Sequence, residues 1–134
     1  MNDAVRALIE SDALAHLTTL NPDGSPHVTG VWAGLDGEEI VIGTLARRRK
    51  VGNVEHDPRV AVSFEAGELD ERGLQQYLVV YGHARVAEGG AAPLLQRLAH
   101  VYMGPDVVFP GPNAPSGYVI RIAVERVTGA GPWA

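Results

Sequence analysis

The sequence predicts a mainly β protein: an antiparallel barrel of six strands with short helices between them. Three observations predict it. Six runs of alternating or continuously apolar residues are each bounded by turn signals. Most neighbouring runs are separated by too few residues for the helical crossover that a parallel pair needs. Helical spacing of apolar residues is confined to three short segments.

The elements follow in order. Asp3 to Glu10 reads as a helix, because Val5, Leu8 and Ile9 share one face and Asn2 or Asp3 can cap it. Ala13 to Leu20 is the first strand, and Asn21-Pro22-Asp23-Gly24-Ser25 is a strong turn. Pro26 to Leu35 is the second strand and Glu39 to Thr44 the third, joined through Asp36-Gly37, a hairpin dipeptide. Ala46 to Glu55 is a helix with Val51 and Val54 on its buried side, ended by Asp57-Pro58. Arg59 to Glu65 and Gln75 to Val86 are the fourth and fifth strands, with a charged, glycine-containing loop from Ala66 to Leu74. Ala92 to Met103 is an amphipathic helix through Leu94, Leu95, Leu98 and Val101. Gly104 to Gly117 holds four prolines and three glycines and is a loop. Tyr118 to Val127 alternates and is the sixth strand. Within the fifth strand, Gly82 is expected to relieve crowding. Trp133, so near the terminus, is expected to pack somewhere to be ordered, with a dimer interface as the named place.

The 134 residues fit one domain, 1–134, large enough for a real core. There is no cysteine, which excludes disulfides, thiolate metal sites and cysteine nucleophiles. The net charge of −5 argues against a nucleic-acid surface. No apolar run approaches the ~20 residues that cross a bilayer, and the acidic start lacks a signal-peptide core. The expectation is a cytoplasmic protein with no membrane partner. The histidines at 16, 27, 56, 83 and 100 have no close ligand spacing, so no metal site is expected.

The sharpest chemical feature is Gly43-Thr44-Leu45-Ala46-Arg47-Arg48-Arg49-Lys50. A strand ends in a hydroxyl residue, and four cations follow at a helix start. Cations there oppose the helix dipole, at about 0.3–1 kcal/mol each. An anion would offset that cost, and helix amides with Arg and Lys make a phosphate pocket. On spacing alone the run reads equally well as a solvated basic face. Lys50 is the only lysine in the chain.

Thr44 with Arg49-Lys50, then Asn53-Val54 and Asp57-Pro58-Arg59-Val60, resembles the pyridoxamine-phosphate-oxidase-like superfamily. Pro26-His27-Val28-Thr29-Gly30-Val31-Trp32 and Tyr77 to Ala84 are similar to two further strands of that family. The closing Glu125-Arg126-Val127-Thr128-Gly129 resembles its branch assigned to the deazaflavin coenzyme F420. Arg48 departs from the serine common in the classical oxidases, and their C-terminal pyridoxal-binding pattern is missing.

The resemblance implies a split barrel of the FMN-binding type, paired as a homodimer with two cofactor sites at the interface. It implies a phosphate site at Thr44, Arg49 and Lys50, with Gly43, Arg47 and Asn53 as further cofactor-binding residues. It implies ring contacts at Val28, Thr29, Val31, Trp32 and Tyr77. The implied activity is hydride transfer from reduced F420 to a small electron-poor organic acceptor, with FMN as the alternative cofactor and a non-catalytic binder as the alternative role. Such chemistry resides in the cofactor, so no catalytic side chain is assigned. Arg47 and Arg48 could meet the acidic tail of F420.

Overall fold

A computed structural model describes residues 1–134. Seven strands form one antiparallel sheet: β1 (Ala15–Leu20), β2 (Pro26–Val31), β3 (Gly34–Asp36), β4 (Glu39–Thr44), β5 (Arg59–Leu69), β6 (Gln75–Glu88) and β7 (Tyr118–Ala130). Three helices join them: α1 (Asp3–Ile9), α2 (Arg49–His56) and α3 (Ala91–Tyr102). The strand order is β2-β1-β5-β6-β7-β4-β3.

That order closes the barrel. β2 and β3 lie at opposite edges of the sheet, yet only Trp32 and Ala33 connect them. From Val31 to Gly34 is three residue steps, roughly 10–11 Å at most when extended. The two edges are therefore brought together, joined by chain and not by a hydrogen-bonded ladder, which makes the barrel split. Inward residues alternate along each strand and fill the interior: Leu17, Val62, Phe64, Leu78, Val80, Ile40, Ile42, Ile120 and Ile122 are all fully buried. α1 adds Val5 and Ile9 to this core, and α2 adds Val51 and Val54.

The structure corrects the six-strand expectation. The run Pro26 to Leu35 is two strands, broken at Trp32-Ala33. The break has a tertiary cause. The Tyr102 hydroxyl accepts from the Ala33 N–H at 3.1 Å and donates to the Ala13 carbonyl at 3.1 Å. A side chain from α3 thus takes a backbone group that a continuous ladder would use. β5 also runs beyond Glu65 to Leu69, through a bulge between those residues. The tip is then only Asp70 to Leu74, where the Asp70 carboxylate accepts from the Arg72 and Leu74 amides at 2.8 and 2.9 Å.

Gly82 sits beside a register shift in the β6–β7 pair, where an added Cβ would lie 2.2 Å from the Ala123 carbonyl oxygen. The relief of crowding expected there is what the backbone requires. Trp133 is buried against its own chain, and its indole donates to the Tyr77 carbonyl at 2.8 Å.

Candidate functional site

A cavity of about 380 Å³ opens where β2, β4, α2 and α3 converge. One wall is the end of β4 and the turn after it, Gly43 to Ala46, with Arg48 and Lys50. Another is Val31 and Trp32 at the end of β2, faced by Phe109 from the loop after α3. Leu14 and Leu95 complete the apolar lining.

The basic run is shaped by its turn. α2 begins at Arg49, three residues later than the sequence suggests, and has no side-chain cap. The Thr44 hydroxyl donates to the Ala46 carbonyl at 2.8 Å, and the Arg48 amide donates to the same carbonyl at 2.9 Å. Residues 45–48 are thereby folded into a turn before the helix starts. This separates the cations. Arg47 is drawn to Glu55 in a close ion pair, and its guanidinium lies 5.7 Å from the centre of the Tyr118 ring. Arg49 lies toward the β1–β2 turn; there Asp23 is held below its usual range by Ser25, with a smaller contribution from the Arg49 charge. Arg48 and Lys50 remain on the cavity. Neither makes an ion pair. Burial pushes the Lys50 ammonium down, and the Arg48 charge pushes it further. Two uncompensated cations side by side in a half-buried site are stabilised by an anion.

The opposite wall is flat and aromatic. Trp32 stacks on Tyr102 with ring centres 5.3 Å apart and planes inclined by 13°. Phe109 meets Trp32 edge-on at 5.8 Å. Burial raises the Tyr102 hydroxyl above its ordinary range. It already holds the Ala13 and Ala33 backbone, so it anchors the wall.

Of the residues named from sequence, Val31, Trp32, Gly43, Thr44 and Lys50 come together at the cavity. Asn53 does not. It is buried under α2, with its amide donating to Thr19 Oγ1 and Asn21 Oδ1 at 3.0 Å each, and it ties the helix to β1. Arg47 and Arg49 stand off the lining for the reasons above. Val28 is exposed on the edge strand β2. Thr29 follows it with a buried hydroxyl that has no partner in the chain. Tyr77 lies on the outer face of β6, away from the lining. The sequence did not mark Tyr102, Phe109, Leu14 or Leu95 as site residues. α3 reads as an ordinary amphipathic helix and Phe109 falls in a loop, so neither carries a local signal. Arg48 is marked in the sequence as a departure from a serine and, with Arg47, as a partner for an acidic tail, not as a lining residue beside Lys50.

A group with a phosphate and a planar ring fits this donor set. Arg48 and Lys50 supply the charge, and Trp32 and Phe109 supply an apolar face.

Seven antiparallel strands closed by two residues of chain, with a cationic pocket beside an aromatic wall, define a split-barrel protein. The chain belongs to the pyridoxamine 5′-phosphate oxidase family, which its sequence matches over residues 1–130. Among solved structures, an F420 reductase is 25% identical with a TM-score of 0.77, covering 96% of this chain and 98% of its own. A conserved hypothetical protein from Mycobacterium tuberculosis is 26% identical with a TM-score of 0.76, covering 97% and 84%. HupZ from Group A Streptococcus shares the fold at 20% identity, TM-score 0.67, covering 96% and 93%. No curated protein matches the sequence significantly. No helix is long and apolar enough to cross a membrane.

Proposed function

We propose that this chain is an oxidoreductase that holds F420 in the cavity, working as a homodimer on a small electron-poor acceptor. The observation that carries this reading is the pair Arg48 and Lys50, both without a carboxylate partner, on a cavity whose other wall is aromatic. The likeness to an F420 reductase supports it. When bound, the cofactor supplies the hydride. The chain's own residues bind and orient. Lys50 and Arg48 would hold the phosphate, and Arg48 would also meet an acidic tail. The Thr44 hydroxyl, by fixing the turn at Ala46, places both cations. Trp32, stacked on Tyr102, would give the ring a rigid face and exclude water from it.

Purified protein titrated with F420 and with FMN, followed by absorbance, tests the proposal. Tighter binding of F420, with turnover in the presence of a quinone or nitroaromatic acceptor, supports it. FMN binding equal or tighter at low salt makes FMN the cofactor. Binding without turnover for any acceptor makes the chain a storage or sensing protein. Binding of neither overturns the site.

A further inference from the structure

We propose that Gln96 and His100 of α3 are positioning residues: they clamp the carbonyl of Val107 and so hold Phe109 in the aromatic wall of the cavity. The segment from Gly104 to Gly117 is a strap with two firm ends. At one end the Met103 amide closes α3 on the Ala99 carbonyl at 2.8 Å. At the other, Ser116 and Gly117 accept from the Ala91 and Gly89 amides at 2.9 and 2.7 Å. Gly117 has φ of +62°, and an added Cβ would lie 2.3 Å from the Thr44 carbonyl oxygen. The strap is therefore pressed onto the end of β4 where the cavity begins.

Between these ends the strap touches the body at Phe109, which lines the cavity, and at Pro110, which is buried. Phe109 meets Trp32 edge-on, while the neighbouring Val108 is 77% exposed. The polar tie is at Val107. Its carbonyl lies 3.3 Å from Gln96 Nε2 and 3.1 Å from His100 Nε2. The two side chains are one helical turn apart on the same face and lie 2.9 Å from each other. With the proton on Nε2, the imidazole donates to the carbonyl directly. With the proton on Nδ1, Nε2 accepts one amide hydrogen of Gln96 and orients the other toward the carbonyl. The three groups can share only two hydrogen bonds in either tautomer, and in each the Val107 carbonyl accepts at least one of them. Val107 is two residues from Phe109, so fixing it sets where the ring sits against Trp32.

The wall belongs to the cavity of the proposed function, so the test first reads the free protein. The chain has two tryptophans, and the indole N–H of Trp32 reports the wall while that of Trp133 reports the body. Gln96→Ala/His100→Ala is compared with wild type by proton–nitrogen correlation spectra. The Trp32 resonance is expected to shift or broaden as the Phe109 ring current is lost, with the Trp133 resonance unmoved. His100→Gln, which restores a group able to donate or accept, is expected to recover the wild-type spectrum. Phe109→Ala should reproduce the shift of the double variant. Release of bound F420 or FMN, by stopped flow, should be roughly 5- to 10-fold faster in the double variant, for loss of about one net hydrogen bond. An unmoved Trp32 resonance in the double variant overturns the clamp. So does a shift in the double variant that Phe109→Ala fails to reproduce. If neither cofactor binds, the proposed function falls, and the spectra of the free protein still decide the clamp.

Discussion

Lys50 is where the physics of single residues is sharpest. Its charge is disfavoured by burial and by Arg48, so the free protein bears a burden that a bound phosphate removes. Lys50→Ala is expected to weaken cofactor binding by ~10- to 150-fold, the worth of a charged hydrogen bond at about 1.5–3 kcal/mol. The melting temperature of the free protein is expected to stay level or rise. The sign follows from linkage. The folded-state pKa is lowered, so the cost is full at neutral pH and fades as pH climbs toward the ordinary lysine value. Measuring affinity and melting temperature on the same two samples checks both parts. Unchanged affinity would make the basic run a solvated face. At this scale the sequence was read in part. The cations and Thr44 were legible because their types are unusual at a helix start. Which arginine faces the cavity was not. That depends on the Thr44–Ala46 turn and on Glu55 capturing Arg47, neither of which spacing reveals. Asn53 stands off the cavity lining, and a polar residue on a helix reads the same in sequence whether it meets a ligand or, as here, Thr19 and Asn21.

Among the elements, hairpins were the legible part. Asn21 to Ser25 and Asp36-Gly37 are turns that local chemistry dictates, whereas the tip at Asp70 to Gly73 is shorter than the Ala66 to Leu74 segment the sequence suggests. The break at Trp32-Ala33 was hidden because its cause, Tyr102, lies about seventy residues further along the chain. β6 and β7 are the longest pair, with Gly82 at their irregularity. Gly82→Ala is expected to destabilise by roughly 1–3 kcal/mol, because the new methyl meets backbone, which cannot rotate away. Urea unfolding of the variant checks this, and a midpoint equal to wild type would show that β7 can shift without cost.

For the whole molecule, the outer face of β6 is the open question of assembly. Leu78 and Val80 point inward and are buried, while Tyr77 and Tyr81 point outward at 45% and 39% exposure. Val28 on the edge strand β2 and Leu14 just before β1 add exposed apolar surface. We propose that this face is covered in a homodimer, whose obligate interface should bury more than ~2,000 Å² in total. Sedimentation at micromolar concentration is expected to give a dimer, and a monomer there would refute it. Tyr81→Glu together with Tyr77→Glu is expected to shift that equilibrium toward monomer.

The uneven placement of charge has a consequence for how a ligand arrives. The molecule carries a net charge of −5, yet its cavity presents two unpaired cations. A polyanion approaching from afar meets repulsion, and attraction begins only within about a Debye length of the mouth. Capture and retention should therefore respond to salt in different ways. Added salt screens the distant repulsion along with the local attraction, so the association rate constant should change little between 20 and 200 mM, figures of order one decade in ionic strength. The dissociation rate constant should rise steeply over the same interval, because the departing anion leaves contacts that salt weakens. Stopped-flow traces at several ionic strengths separate the two, and an association rate that collapses with salt would mean that the cavity, not the whole surface, governs encounter.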